Sequence, residues 1–378
     1  MFTELRITNF KSLRDVHLEI GPRLTLLVGA NNTGKSNALA CLRLLGETAR
    51  LEDLSRALGA VGGPAAAIAR GEMGGKVAVR AVVDGEPVEY TISFTNPERG
   101  PSSVNQEMVL TLDGLLGVNQ KSGQVHRTDG SSEVRKPGAV LSFLAGGRLG
   151  NVRLHKLYSA LRSLLVFDLS VARLRASSTY AAGLTLGSDG TGLAAVLDAL
   201  QGSGPDLFEL IEKEVKAAAP EVKRLTTPYS LLNPGAKVLG VQEQDGRVFQ
   251  GEEISDGLVL FVGLATAAAL STPNPDLPGP RLLAIEEPER GIHPRRIREV
   301  IDYLRRLADR GTQVVLTTHS PLVLDEFSDS PESVLLFDRG AEGTKITKLT
   351  DLDNWESLIR GQPLGEVWYS GLLGGVPR

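Results

Sequence analysis

The chain contains a single cysteine, Cys41, in 378 residues. It cannot form an internal disulfide, which suits a reducing cytosol. Charge of one sign is not in excess either. The 41 basic side chains against 45 acidic ones leave a formal net charge of −4. Any nucleic-acid surface therefore has to be local. Long apolar runs are scarce: Leu258–Leu270 is too short to cross a bilayer and suits a buried helix. Met1-Phe-Thr-Glu-Leu-Arg lacks a charged-then-apolar leader, so the expected location is cytoplasmic, with no membrane partner. No internal repeat is found, and the 42 glycines follow no collagen-like period. No heptad pattern is sustained between Ser36 and Ser255, which excludes a long coiled-coil arm there.

What is present is a 42% hydrophobic composition, enough for a substantial core. Length allows two domains or one large α/β domain. The most informative stretch is Gly29-Ala-Asn-Asn-Thr-Gly-Lys-Ser36, a full match to G-x-x-x-x-G-K-[ST]. The apolar run Leu24–Val28 before it reads as a strand. Asn37–Leu45 after it has helical spacing. That strand–loop–helix context is what the motif requires. Gly29 and Gly34 free the backbone to turn N–H groups toward phosphate oxygens, and the helix N-terminus adds positive partial charge. Gly29, Ala30, Asn31, Asn32, Thr33, Gly34, Lys35, Ser36 and Asn37 are thus the expected nucleotide-binding residues. Lys35 is placed to reach the β- and γ-phosphates of ATP, and Ser36 to hold Mg²⁺.

The rest of the chain shows an ordered pattern. Phe2–Asn9 and Leu13–Ile20 read as strands. Lys76–Val83, Val88–Phe94 and Val104–Leu112 have the period of an antiparallel sheet, with a tight turn at Asp84-Gly85. Residues 113–150 are polar and Gly-rich. Helices are expected over Asn151–Leu164, Leu193–Leu200, Asp206–Ala218, Gly257–Leu270 and Arg295–Asp309, with a helical turn at Leu322–Phe327. Leu165–Leu169, Val238–Gln242, Arg247–Gln250, Arg281–Ile285, Thr312–Leu316 and Ser333–Phe337 read as strands. The apolar strands near the C-terminus argue for a buried, mostly parallel sheet. The expected organisation is an N-terminal lobe over 1–145, a helical insertion over 146–250 and a C-terminal lobe over 251–378.

Leu282-Leu-Ala-Ile-Glu-Glu-Pro-Glu289 is an apolar strand that ends in carboxylates. Beside a phosphate loop, such an end is where Mg²⁺ and an attacking water belong. Glu286 would serve the metal and Glu287 would orient or deprotonate the water. A solvated acidic turn has the same local sequence. His319 closes the run Gln313–Ser320, where an imidazole can hydrogen-bond a phosphate oxygen. A structural histidine is the competing reading. Asp351-Leu-Asp353 lacks a third carboxylate and reads as a solvated helix start.

Together these motifs resemble the ABC-type ATPase heads, and more narrowly the RecF/SMC/OLD group of AAA-like ATPases acting on DNA ends, in repair or in phage defence. The matching segments are Ile7–Ser12, residues 29–36, Ile254–Gly257, residues 282–289, Gly291–Pro294 and Thr317–Pro321. The resemblance implies an α/β P-loop fold: a composite head with a mixed or parallel core sheet, an antiparallel region and a helical insertion. It also implies that two heads pack head to tail around ATP and Mg²⁺. Ser255, Asp256 and Gly257 then match the signature loop that reaches the partner's γ-phosphate, although a plain helix cap explains Ser255 locally. Gly291–Pro294 matches a loop that crosses the dimer interface. Lys35, Glu287 and His319 carry over as catalytic residues.

Two departures stand out. Glu286 replaces the usual Asp, moving the carboxylate by roughly 1.5 Å, one C–C bond. Asp256 stands where Gly is frequent. The glutamine-loop residue stays open among Gln106, Gln120 and Gln124. The stretch after His319 is too short for the nuclease domain fused in OLD proteins.

The resemblance therefore implies an ATPase that is a homodimer and works on DNA or through a separate nuclease or toxin effector. A nucleotide-gated scaffold with little hydrolysis is the alternative, and a transporter subunit the third. The arginine-rich segment 295–310 is explained by pairing along a solvated face or by nucleic-acid contact. The Gly-rich, aromatic segment 365–374 either docks on its own sheet or forms a partner interface.

Overall fold

In the computed structural model, the described residues are 1–95, 152–180, 185–272, 279–341 and 343–375, with strand backbone at 106–111, 118–121, 124–127 and 132–134. The side chains of Gln106, Gln120 and Gln124, most of the polar stretch 113–150 and residues 273–278 of the proline-rich loop lie outside the described residues. The chain divides into two compact units. One comprises Met1–Val166, Pro273–Ala284 and Gly311–Arg378; the other comprises Phe167–Thr272 and Ile285–Arg310.

In the first unit, period-two runs pair as expected. Strands β1 (Phe2–Phe10) and β2 (Leu13–Glu19) are antiparallel. Lys11 turns between them with φ 52°. After β3 (Leu24–Val28) come helices α1 (Lys35–Leu51), α2 (Leu54–Gly59) and α3 (Pro64–Ala67). Strands β4 (Gly74–Val83) and β5 (Glu86–Thr95) meet at Asp84-Gly85. Both turn residues have positive φ, as a two-residue hairpin of this twist demands. Strands β6 (Gln106–Thr111), β7 (Val118–Lys121), β8 (Gln124–Arg127) and β9 (Ser132–Val134) extend an antiparallel sheet of order β2-β1-β4-β5-β6-β7-β8-β9. Helix α4 (Val152–Arg162) follows, then β10 (Leu165–Phe167).

The second unit holds α5 (Val171–Arg175), α6 (Leu193–Ser203) and α7 (Pro205–Ala218), then a small antiparallel sheet of β11 (Val222–Thr226), β12 (Gly240–Glu243) and β13 (Val248–Gln250). Helix α8 (Asp256–Leu270) is apolar around its whole circumference and is buried from Val259 to Ala269, as its sequence implied. The unit also contains α9 (Ile297–Asp309). Val300, Ile301, Leu304 and Leu307 form the buried stripe of α9. Its arginines are largely engaged within the unit. Arg305 meets Asp302 at 2.9 Å, while Arg306 and Arg310 converge on the buried Glu214 at 3.1 and 3.3 Å.

Strand β14 (Arg281–Glu286) precedes α9, and β15 (Thr312–Thr318), α10 (Pro321–Asp325), β16 (Val334–Gly340) and β17 (Gly343–Lys348) follow it. They build a six-stranded sheet of order β10-β14-β15-β3-β16-β17. Strands β15 and β16 flank β3 and run parallel to it. Every residue of β3 and β15 is buried, which explains their unbroken apolar character. Strand β17 closes one edge antiparallel to β16.

The chain ends with α11 (Trp355–Ile359) and α12 (Leu364–Tyr369). Helix α12 docks on α10. Gly365 N–H donates to Asp325 Oδ1 at 2.7 Å, and a Cβ on Gly365 would overlap the Pro321 carbonyl. Val367 and Trp368 are buried, whereas Tyr369 and Leu372 face out. The aromatic segment thus packs on its own unit and still presents two apolar side chains.

Candidate functional site

Strand β3 delivers the chain into the phosphate loop at Gly29, which is buried against β16: a Cβ there would overlap the Phe337 carbonyl. Asn32 and Gly34 then take left-handed conformations, with φ 64° and 106°. Two such residues in one short loop curl the backbone into a concave nest of N–H groups. Helix α1 starts at Lys35, with Gly34 at the N-cap, no side-chain cap and no acidic residue in its first turn. The helix end therefore keeps its positive character for an anion. Lys35 is buried, and its Nζ donates to the carbonyls of Gly29 at 2.6 Å and Ala30 at 2.8 Å. The ammonium lies folded over the loop that it would serve. Ser36 is exposed at the first turn of α1.

His319 follows directly on β15. Together with Ala30 and Asn31 it lines a cavity of about 560 Å³, which also takes in Trp368, Tyr369 and Ser370. The structure thus brings the phosphate loop and the predicted histidine to one cavity inside the first unit. The C-terminal segment is a further component, and its aromatic residues were the signal for it. The Gly375 carbonyl accepts a hydrogen bond from Ala30 N–H at 2.6 Å. Trp368 is 3% exposed, and its indole Nε1 has no hydrogen-bond partner among the described residues.

The paired carboxylates belong to the second unit. Glu286 ends β14, and Glu287 follows it with φ 45°, an uncommon conformation for a residue with a long side chain. The Glu287 carboxylate accepts from Arg290 Nη2 at 3.0 Å and Nε at 3.2 Å. Arg290 Nη1 also donates to Asp168 at 2.8 Å. Burial works against the Arg290 charge, but Glu287 and Asp168 outweigh it and hold the guanidinium above its usual pKa. Neither Arg290 nor Asp168 was among the sequence candidates, and no local pattern marks Asp168.

The loop before α8 is also held. Ser255 is the N-cap residue, yet its side chain makes no cap hydrogen bond, so capping does not account for the serine. Asp256 forms an ion pair with Arg175 at 2.8 Å. Arg175 also binds Glu252 at 3.1 Å and donates to the Ile254 carbonyl. Asp256 therefore anchors the loop through Arg175. Ser255 and Gly257 share a cavity of about 240 Å³ with Gly291, Ile292 and His293. Two segments expected at one dimer interface thus meet within one unit. Among the described residues, no group of three His, Cys, Asp or Glu side chains forms a metal cluster. None of the described helices is long and apolar enough to cross a membrane.

Comparison with known proteins gives a family and a fold. The family model described as "AAA domain, putative AbiEii toxin, Type IV TA system" matches residues 24–325. None of the curated proteins matches the chain. Among solved structures, "Crystal structure of the SmcHead bound to the C-winged helix domain of ScpA" is similar over 94% of this chain and 99% of that one, with 14% identity and a TM-score of 0.59. "SMC head domain from Thermotoga maritima" is similar over 92% of this chain and 98% of that one, with 15% identity and a TM-score of 0.48. The fold is accordingly that of a P-loop ATPase head of the SMC type.

Proposed function

The chain belongs to this AAA-domain family, and on that premise we propose that it is an ATP-binding and ATP-hydrolysing head completed by a second copy of itself. The observation that carries this reading is the cavity shared by Ala30, Asn31 and His319, set beside a nest with left-handed residues at Asn32 and Gly34. Such a nest fits a polyphosphate, and the histidine fits a phosphate oxygen at its far end. Lys35 would leave the Gly29 and Ala30 carbonyls for the phosphates. Ser36 and Glu286 carry hard oxygen donors, the kind that Mg²⁺ takes. When bound, the ion would neutralise charge on the phosphate oxygens. Glu287 would orient the attacking water. Ser255 and Gly257 would meet the γ-phosphate held by the partner head.

The cycle would drive DNA-related work or gate a separate nuclease or toxin. The family's description, which names a putative toxin of a type IV system, supports an effector context. Lys35→Ala should abolish nucleotide binding in a calorimetric titration with Mg²⁺–ATP. Glu287→Gln should keep binding and cut turnover by about a hundredfold or more, as loss of a general base does. Unchanged turnover in Glu287→Gln would remove the assigned base. Stimulation of turnover by DNA separates a DNA-directed cycle from one directed to a protein effector.

A second reading has its own observation. Glu287 is already engaged by Arg290, and Glu286 is one methylene longer than the usual Asp. Both favour slow turnover and a nucleotide-gated scaffold. Negligible hydrolysis with ATP-dependent capture of an effector would select it.

A further inference from the structure

We infer that Thr344, on the edge strand β17, is a positioning residue for the phosphate loop, an inference that rests on the nucleotide-binding reading above. Three side chains and one carbonyl lie in a row. Asn37 Nδ2 donates to Ser12 Oγ at 2.8 Å. Ser12 Oγ lies 3.1 Å from Thr344 Oγ1. Thr344 Oγ1 donates to the Thr33 carbonyl at 2.8 Å. The ends of the row fix its direction. A side-chain amide nitrogen only donates and a carbonyl only accepts. The Thr344 hydroxyl has spent its one proton on Thr33, so Ser12 must donate to Thr344. Every hydroxyl proton in the row is used once, and the polarity runs one way from α1 to the loop.

The consequence for the loop follows from peptide geometry. A trans peptide is planar, with its C=O and N–H pointing in opposite directions. Holding the Thr33 carbonyl toward β17 therefore turns the Gly34 N–H away from β17, into the nest. The same contact explains the glycine. Gly34 has φ 106°, and a Cβ there would overlap Thr344 Oγ1 and come within 2.9 Å of Ser12 Oγ. Gly34 is needed both for its dihedral and because Thr344 stands against it. Thr344 acts through the loop backbone, holding the Thr33 carbonyl and standing against Gly34. It is pinned in turn by the β16–β17 ladder, where it pairs with Arg339, and by its own N–H to the Ser12 carbonyl at 3.3 Å.

The test compares Thr344→Val, which keeps shape and removes the hydroxyl, with Thr344→Ser, which keeps the hydroxyl. Mg²⁺–ATP affinity and steady-state hydrolysis are measured for both, with the wild type and Lys35→Ala as controls. The expected result is an affinity about tenfold weaker in Thr344→Val, the worth of one hydrogen bond left unmade at a charged ligand's cradle. Turnover at saturation should stay within about twofold, and Thr344→Ser should recover most of the loss. Ser12→Ala breaks the next link and should weaken binding in the same direction. The double variant should lose little more than the larger single loss, since the two act through one row. If the wild type binds ATP and Thr344→Val binds equally well, or if Ser12→Ala is silent, the inference falls and the nucleotide reading stands. If the wild type itself fails to bind, both fall together.

Discussion

At the scale of single residues, held carboxylates recur. Asp256 and Glu287 are each tied to an arginine, Arg175 and Arg290 respectively. The two pairs differ in what they hold. Arg290 is about half exposed and bridges Glu287 to Asp168, so it fixes the direction of a side chain that has an unusual backbone. Arg175 has a side chain only 13% exposed, and it grips both a carboxylate and the backbone of the loop before α8. Charge-assisted bonds from a planar guanidinium are strong and directional. Arg175→Leu should therefore loosen Ser255 and Gly257. Turnover should fall at least about tenfold while ATP affinity in the isolated head stays within about twofold, since the phosphate loop belongs to the other unit. The global cost should be about 1–2 kcal/mol by urea unfolding, because two of the three partners are solvated carboxylates. Equal losses of affinity and turnover would refute this division. Residues of this kind explain what the sequence could and could not disclose. Lys35 and Ser36 were legible because their motif is local and its context contiguous. Arg175 and Asp168 were not, because each matters through a partner far along the chain.

At the scale of elements, the central strands were legible and the edge strand β17 was not. Strands β3 and β15 are buried on both faces, so their apolar runs had one reading. Strand β17 was not anticipated. It is an edge strand with Ile346 as its one apolar side chain, and a period of two in Thr, Lys and Ile is a weak signal. Yet β17 supplies Thr344. Helices pose the same problem at their ends. Helix α1 stops at Glu52, a left-handed C-cap where Gly is usual, and the Glu52 carboxylate accepts from Tyr158 Oη on α4. Burial, then the bond to Glu52, pushes the Tyr158 pKa up to about 12, from an ordinary value of 10.0. The sign follows. The folded state holds the phenol proton more tightly than the unfolded chain does, so this contribution is complete below pH 10 and is lost as pH rises toward 12. Tyr158→Phe should cost about 1 kcal/mol at neutral pH, the net worth of one hydrogen bond. Above pH 10 the wild type should lose up to about 2 kcal/mol relative to the variant, so the gap closes or reverses. Urea unfolding at neutral and alkaline pH measures this directly, and a constant gap would sink the α1–α4 link.

At the scale of the whole molecule, the proposed chemistry is divided between the two units. The phosphate loop and His319 lie in one, while Glu286, Glu287 and the loop at Ser255 lie in the other. A head that completes its site in trans makes a prediction that a self-contained enzyme does not. Lys35→Ala removes the phosphate-loop half of a site. Ser255→Arg places a bulky charge on the half proposed to face the partner. Each variant alone should be inactive as a homodimer. Mixed, they form heterodimers in which one site carries both lesions and the other carries neither. With free exchange of subunits, half of the dimers are mixed and half of their sites are intact, so activity should recover to about a quarter of the wild-type value. The recovery should peak near equal proportions and require nucleotide, because ATP is proposed to bring the heads together. Light scattering with and without ATP would follow the dimer itself, which Glu287→Gln should prolong by slowing hydrolysis. If mixing restores nothing at any ratio while both variants remain folded, the site is contained within one copy. Ser255 would then have to act on the ATP of its own chain.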